Sequence, residues 1–306
     1  MTRPIDVSPE ARDAILAWYY VMGRDLPFRR TTDPYAILVS EAMAQQTQAA
    51  RAAETWTRFM ATFPTVESLA DASPAAVLRA WQGLGYNRRA LALWRAARCI
   101  VDEHGGQVPS DVAELQALPG VGPYTARAVA AIAFGVPAGA VDTNVRRVLG
   151  RIAAGGAEVL DPADLQALAD RVVPADRAAD WTHAVMDVGA SVCRPMRPDC
   201  EACPARASCR FAQRAAAGAP ESVVRGRPDA RPAPAPAFPT TSRWLRGRIL
   251  DRLRATPDDG WLALDDAIGS HDRAAVAGAA RALAREGLLE LDGIGTGSIR
   301  ARLPLG

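Results

Sequence analysis

The chain has 306 residues, about twice a common domain length, so at least two domains with an ample core are expected and a disulfide-stapled mini-protein is excluded. Apolar residues make up 49% and charged residues 23%, which excludes global disorder, and no apolar run of about 18 residues offers a helical membrane span. All 36 basic residues are Arg, so the formal charge of +2 belongs to a chain without lysine; Schiff-base chemistry on a side-chain amine is excluded, and net charge by itself gives no argument for nucleic acid.

At the N-terminus, Asp6, Glu10 and Asp13 interrupt the apolar core that a signal peptide needs, which predicts a cytoplasmic location. From there apolar residues recur at three- and four-residue spacing between short Gly, Pro and Asp turns. This predicts helices over 9–22, 34–47, 49–62, 65–69, 74–80, 87–104, 111–117, 122–134, 141–153, 162–172 and 176–190, an all-α body. Residues 213–241 repeat Pro-Ala steps with little periodicity and are expected to form a semi-rigid linker. Beyond them, helices are predicted over 242–254, 262–268 and 272–286, followed by a hairpin from 288–291 and 298–303, the pattern of a small winged-helix-like α+β domain. That last segment carries 10 Arg against 9 acids and so is expected to be an accessory domain.

Four of the five cysteines, Cys193, Cys200, Cys203 and Cys209, fall in the order Cys-x6-Cys-x2-Cys-x5-Cys. A structural zinc site usually pairs two short knuckles across a longer gap, whereas four thiols in one compact loop favour an iron–sulfur cluster; zinc stays the alternative. Cys99 lies on an apolar helix face and is expected to be an inert core thiol. Upstream, LPGVGPYTARAVA places a Gly-Val-Gly turn directly before a helix. The amides of Gly120 and Gly122 there could hold a phosphate oxygen, or the turn could serve only to pack two helices. In VDTNVRRV, Asp142 sits at a helix start, where an N-cap is its ordinary role.

Taken in order, DLPFRR, DPYAILVSEAMAQQTQ, FPTVESLADA, WQGLGY, LPGVGPYTARAV, VDTNVRRV, MDVGASVC and the four-cysteine loop resemble the helix-hairpin-helix DNA glycosylases, most closely the adenine DNA glycosylases of the MutY family. The resemblance covers about residues 8–212. It implies a glycosylase domain over 1–212, with a six-helix barrel about 31–134 and a cluster subdomain about 1–30 and 135–212, a 4Fe-4S cluster on the four cysteines, and action as a monomer on double-stranded DNA carrying an adenine mispaired with 8-oxoguanine or guanine. By position, Glu41 matches the general acid that protonates N7 of adenine, Asp142 the ionised carboxylate facing the sugar cation, and Tyr124 and Asn144 their hydrogen-bonding supports. DNA contacts are implied at Arg29, Gln45, Gln46, Thr47, Asn87, Arg88, Arg89, Gly120, Gly122 and Arg146, with Gln46 as the intercalating side chain; Arg30 and Arg147 are further phosphate candidates.

Three positions depart from the family pattern. Ala44 stands where a Leu is common, Asn87 where an intercalating Tyr is common, and Phe28 where LPWR has Trp. Tyr124 occupies the place of the Lys that a bifunctional branch uses, so no β-lyase activity is expected. Residues 242–306 are too short for the nucleotide-pyrophosphohydrolase-like domain that many members carry. The rival readings are a mismatch thymine or uracil glycosylase of the same fold, against which Glu41 speaks, and a non-enzymatic iron–sulfur DNA-binding regulator, which has no need of the two carboxyls Glu41 and Asp142.

Overall fold

The computed structural model describes residues 5–156, 160–218, 237–257, 260–293 and 298–306. The helices follow local signals closely. α1 (Pro9–Met22) starts at Ser8, whose hydroxyl accepts from the Ala11 amide at 3.3 Å with Pro9 in the first turn. α2 (Pro34–Ala44), α3 (Ala49–Thr62), α4 (Val66–Ala70), α5 (Pro74–Ala80) and α6 (Arg88–His104) follow, α4 opened by a reciprocal Thr65–Ser68 capping box. α7 (Val112–Ala117) and α8 (Pro123–Phe134) flank the Gly-Val-Gly turn; α9 (Thr143–Ala154) and α10 (Pro162–Val172) are capped by Asp142 and Asp161, and α11 (Ala178–Asp187) runs into a widened π turn over Val188–Val192.

After the cysteine loop comes α12 (Arg210–Ala216), a helix in what the sequence assigns partly to linker. Of the rest of the proposed linker, 219–236 lie outside the described residues, and Phe238–Thr240 form a 3-10 turn just before α13. The C-terminal segment holds α13 (Ser242–Arg254), β1 (Leu262–Ala263), α14 (Arg273–Arg285), β2 (Glu290–Asp292) and β3 (Arg300–Arg302) in an antiparallel sheet ordered β1-β3-β2, with Leu262 opposite Ala301 and Leu291 opposite Ala301 on the other side. The helix expected over 262–268 is therefore wrong: Leu262 and Ala263 join the sheet, and Ile268 bridges back to His271 in a turn. The four-residue apolar run Trp261 to Leu264 cannot distinguish strand from helix by period, and the free edge of β3 captures it. The hairpin expected from 288–291 and 298–303 is present as β2 and β3, its turn residues 294–297 lying outside the described residues.

The described residues form two compact units. One holds 5–41, 108–117, 121–156 and 160–218; the other holds 42–107, 118–120, 237–257, 260–293 and 298–306. These limits differ from the expected ones near 30 and 134. α8 is buried around most of its circumference, from Thr125 to Ile132, and packs on α11, so it belongs with α9–α12 in the first unit. That core gathers Ile15, Leu16, Leu149, Trp181, Val188 and Phe211. In the second unit Phe59 meets Phe63 and Trp81 edge-on at 5.0 and 6.1 Å beside buried Leu69, Leu78 and Ile100. The C-terminal segment is not a separate body here: Arg79 of α5 donates to the carbonyls of Arg254 and Thr256 at 3.1 and 2.8 Å, and Arg254 donates to the Leu78 carbonyl at 2.9 Å.

Candidate active site

The first unit brings Glu41, Tyr124, Asp142 and Asn144 together. Glu41 lies near the end of α2, 7% exposed, in a run otherwise apolar enough to sink that turn into the core. Burial pushes its carboxyl up to about 7, against the pull of a hydrogen bond from Tyr124 and the charge of Arg29 and with the push of Asp142. Tyr124, from the first turn of α8, is held well above its usual ionisation range by burial and by both carboxylates, so it stays a neutral donor; its hydroxyl also meets the Met186 sulfur at 3.5 Å.

Asp142 is both cap and carboxylate. One oxygen accepts from the Val145 amide at 2.7 Å, starting α9, and the other accepts from Asn144 Nδ2 at 3.0 Å. Asn144 Oδ1 in turn accepts from Arg147 at 2.7 Å, and Gly189 packs so close that a Cβ there would lie 2.6 Å from the Asn144 Cβ. Hence the Gly of MDVGASVC is required by the approach of the π turn to this side chain. The arrangement is a pair of carboxyls in different settings, one buried and raised toward neutrality and one held by two amide donors.

Arg29 does something other than the expected DNA contact. Its side chain is 7% exposed and grips Asp187 with two bonds of 2.7 and 2.8 Å, and Arg24 adds a third of 2.7 Å. Burial alone would raise Asp187, but the hydrogen bonds and charge of Arg29, with Arg24, outweigh it and hold the carboxylate ionised. His183, in the same pocket, is driven down to about 3 by burial and by Arg29, so it is a neutral ring beside Tyr19. The role of Asp187 was missed from the sequence; the available signal was an acid on the apolar helix of MDVGASVC, which needs a buried partner. His183 has the ordinary structural role that its sequence setting suggests. Arg147 is also no phosphate contact: it is buried, and donates to the carbonyls of Cys193 at 2.6 Å and Gly189 at 2.7 Å. Arg146, half-buried in the first turn of α9, retains the position expected of a contact, and Arg30 is exposed on Asp25.

In the same unit Cys193, Cys200, Cys203 and Cys209 line one pocket with Val148, Ile152, Val192 and Phe211. Arg151 threads under it, donating to the carbonyls of Arg194 and Pro195 at 2.8 and 2.9 Å and to the Cys193 sulfur at 3.4 Å. Among the described residues no three ligating side chains converge closely enough for a single ion. A zinc ion would need its thiolates within about 2.3 Å of one point, whereas an iron–sulfur cluster takes each thiolate on its own iron and spreads them round a pocket. Four thiols spread round one pocket suit such a cluster.

In the second unit, Gln46 is exposed, with Gln45 and Thr47 half-buried beside it. Arg89 is not an open contact either. Its guanidinium donates to the carbonyls of Ala42 at 2.9 Å, Met43 at 3.3 Å, Gln45, and Leu84 at 3.4 Å, and to the Thr47 hydroxyl at 3.3 Å. Asn87 precedes α6 and its Oδ1 accepts from Arg254 at 2.6 Å, while Arg88 is exposed. Gly120 (φ +78°) admits no side chain, since a Cβ would fall 2.5 Å from that of Ala92. Gly122, described in the first unit, is exposed at the start of α8, whose first turn has no side-chain cap. Cys99 is half-buried, its thiol raised by burial.

Residues 39–174 match the family model described as HhH-GPD superfamily base excision DNA repair protein. The adenine DNA glycosylase of Mycolicibacterium smegmatis is 39% identical over 278 residues, which cover 90% of this chain and 91% of that protein. The chain belongs to the adenine DNA glycosylase family. The human adenine DNA glycosylase is 44% identical over 215 residues, 66% of this chain, and the chain spans only 39% of its length. Among solved structures, a thermostable thymine-DNA glycosylase superposes with a TM-score of 0.63 and 31% identity over 68% of this chain and all of that one. The helix-hairpin-helix fold expected from the sequence is thus the fold present, with its small C-terminal sheet added.

Proposed function

We propose that this adenine DNA glycosylase family member hydrolyses the N-glycosidic bond of adenine mispaired with 8-oxoguanine or guanine in duplex DNA, acting as a monomer in base excision repair. The observation that carries this reading is Glu41: a buried carboxyl raised to about 7 beside Tyr124 and Asp142. With the adenine extruded from the stack, protonated Glu41 donates its proton to N7, the C1′–N9 bond breaks with its electron pair leaving on the base, and the Asp142 carboxylate faces the positive sugar. Water then adds at C1′ and returns a proton to Glu41. Tyr124, neutral throughout, keeps the Glu41 carboxyl oriented; Asn144, tied to Arg147 and packed by Gly189, keeps Asp142 in place.

The four cysteines would hold a 4Fe-4S cluster, which supplies a structural cross-link for the loop; no step passes through it. Exposed Arg194 and Arg197 on that loop suit phosphate contact. Without lysine, base loss occurs without strand cleavage. The thymine-glycosylase likeness keeps a pyrimidine mispair as the second reading. Duplexes holding A opposite 8-oxoguanine, A opposite G, T opposite G and U opposite G, incubated with protein and then cleaved by alkali, decide between them. Adenine release is expected; release confined to T or U would replace the assignment.

A further inference from the structure

The near-neutral charge of the C-terminal segment hides a division between its helices and the rest. α13 and α14 together carry eight Arg and one acid, Asp251, which leaves two Arg and eight acids for the turns and the sheet. Of the helical cations, Arg246, Arg248, Arg254 and Arg273 are each tied to an acid. Arg281 and Arg285, one turn apart on α14, are exposed and have no acidic partner among the described residues. Next to them an open groove of about 540 Å³ runs between the first turn of α13 and α14, floored by Leu245, Ala275, Gly278, Ala279 and Ala282. Arg281 and Arg285 lie three residues on from Gly278 and Ala282, which sets them along the border of that floor. A Cβ added at Gly278 would meet no atom within 4 Å. No third α-helix of the segment is present among the described residues to cover the groove.

We propose that this groove docks an amphipathic helix of a partner protein, one with apolar side chains on the face it buries and carboxylates along the flank beside Arg281 and Arg285. The floor is made of methyl groups, one Leu side chain and the bare backbone of Gly278, so it offers apolar contact and close approach, as a helix-in-groove site requires. From Ala275 to Ala282 it runs for two turns, about 10 Å, which is the width of one helix with its side chains. The unpaired guanidinium groups at its border can each take a carboxylate through two parallel bonds. Other anionic occupants fit less well. A major groove of duplex DNA is about 12 Å wide and is filled by one projecting helix; here the first turn of α13 borders α14, the surface is concave, and phosphates on the two arginines would leave the apolar floor uncovered. A second copy paired face to face would set Arg281 and Arg285 against their own equivalents, like charge on like. The proposal does not depend on which base the enzyme removes.

The probe is a fluorescein-labelled peptide of about 18 residues, long enough to be helical, with Leu on one face and Glu along its flanks, set against a counterpart with Lys for every Glu. Anisotropy with the full-length protein should show the Glu peptide bound about tenfold or more tighter than the Lys peptide, with the difference shrinking as salt is added. Gly278→Leu fills the floor, and the pair Arg281→Glu and Arg285→Glu reverses its border; each should weaken the Glu peptide by about tenfold or more. All three positions are exposed, so circular dichroism, thermal melting and base excision should match the parent. Equal binding of the two peptides, no binding up to about 1 mM, or unchanged affinity in Gly278→Leu overturns the proposal. So does a loss of affinity for an undamaged duplex in the Arg281→Glu and Arg285→Glu protein with peptide binding unmoved, which would give the face to DNA. A dimer seen by sedimentation in the parent and abolished by Gly278→Leu would give it to a second copy and overturn the proposal equally.

Discussion

Replacing Glu41 by Gln should separate stability from catalysis in a pH-dependent way. Burial raises the folded carboxyl to about 7 from an ordinary 4.5, with the Tyr124 hydrogen bond and Arg29 pulling down and Asp142 pushing up. A group raised on folding binds its proton more tightly in the folded state. The stability linked to that proton is complete below about pH 4.5 and is lost as pH climbs through about 7. At about 1.4 kcal/mol for each pH unit between those values, the ionised carboxylate costs the folded state about 3 kcal/mol at pH 8, of which about 2 kcal/mol is added between pH 5.5 and 8. Gln has the same shape and no charge to bury. At roughly 2 to 4 °C per kcal/mol, the variant should melt about 6 to 12 °C above the parent at pH 8, the gap shrinking to about 3 °C at pH 5.5. Single-turnover excision should fall by roughly 10² to 10⁴ at the same time. A melting gap that does not change between pH 5.5 and 8, or excision near the parent rate, would refute the reasoning.

Asp142→Asn should reduce excision by about 10² or more, because the sugar cation loses its counter-charge, while Asn still caps α9 and thermal melting should move little. Arg29→Met removes a cation that lowers Glu41, so the alkaline fall in kcat/KM, set by deprotonation of the acid, should move to higher pH; stability should drop by about 3 kcal/mol because Asp187 loses its buried partner, and an unmoved pH profile would detach Arg29 from Glu41. Borohydride added during turnover should trap no side-chain adduct on DNA, since the chain has no lysine; efficient trapping would end the monofunctional reading. Protein purified without oxygen should be brown and carry iron and sulfide, and Cys203→Ser should lose them together with solubility; one zinc and no iron would return the site to the alternative.

The fold was largely legible because its helices are bounded by local chemistry. Ser8, Thr65, Ser73, Asp142 and Asp161 cap where the sequence places helix starts, and each accepts the amide bond that a cap should. The strand β1 was not legible, because four apolar residues carry too little period and the partner strand lies nearly 40 residues away. At the site, Glu41, Tyr124, Asp142 and Asn144 were each found by motif and do converge. The roles of the arginines were not found. Arg29 finds Asp187 158 positions further on, and Arg254 finds Asn87 167 positions back, so nothing local distinguishes a buried fork from a solvated cation.

That failure has a physical basis that bears on how this protein meets DNA. Arg29, Arg89, Arg147, Arg151 and Arg254 are tied into the interior, each satisfying several carbonyls or a carboxylate at once. A guanidinium with five donors in a planar fork can do this, and an ammonium cannot match its geometry. Counting basic residues along the chain therefore overstates the charge available to phosphates, and it misses what the C-terminal segment contributes. Its 10 Arg and 9 acids nearly cancel, and Arg246, Arg273, Arg300 and Arg302 face acids within the domain. Arg243 is instead exposed against Tyr86, and Arg254 is turned inward against Asn87. A segment with almost no net charge thus engages the rest of its unit through two individually placed guanidinium groups, one stacked on an exposed ring and one buried against an amide oxygen, rather than through its overall charge.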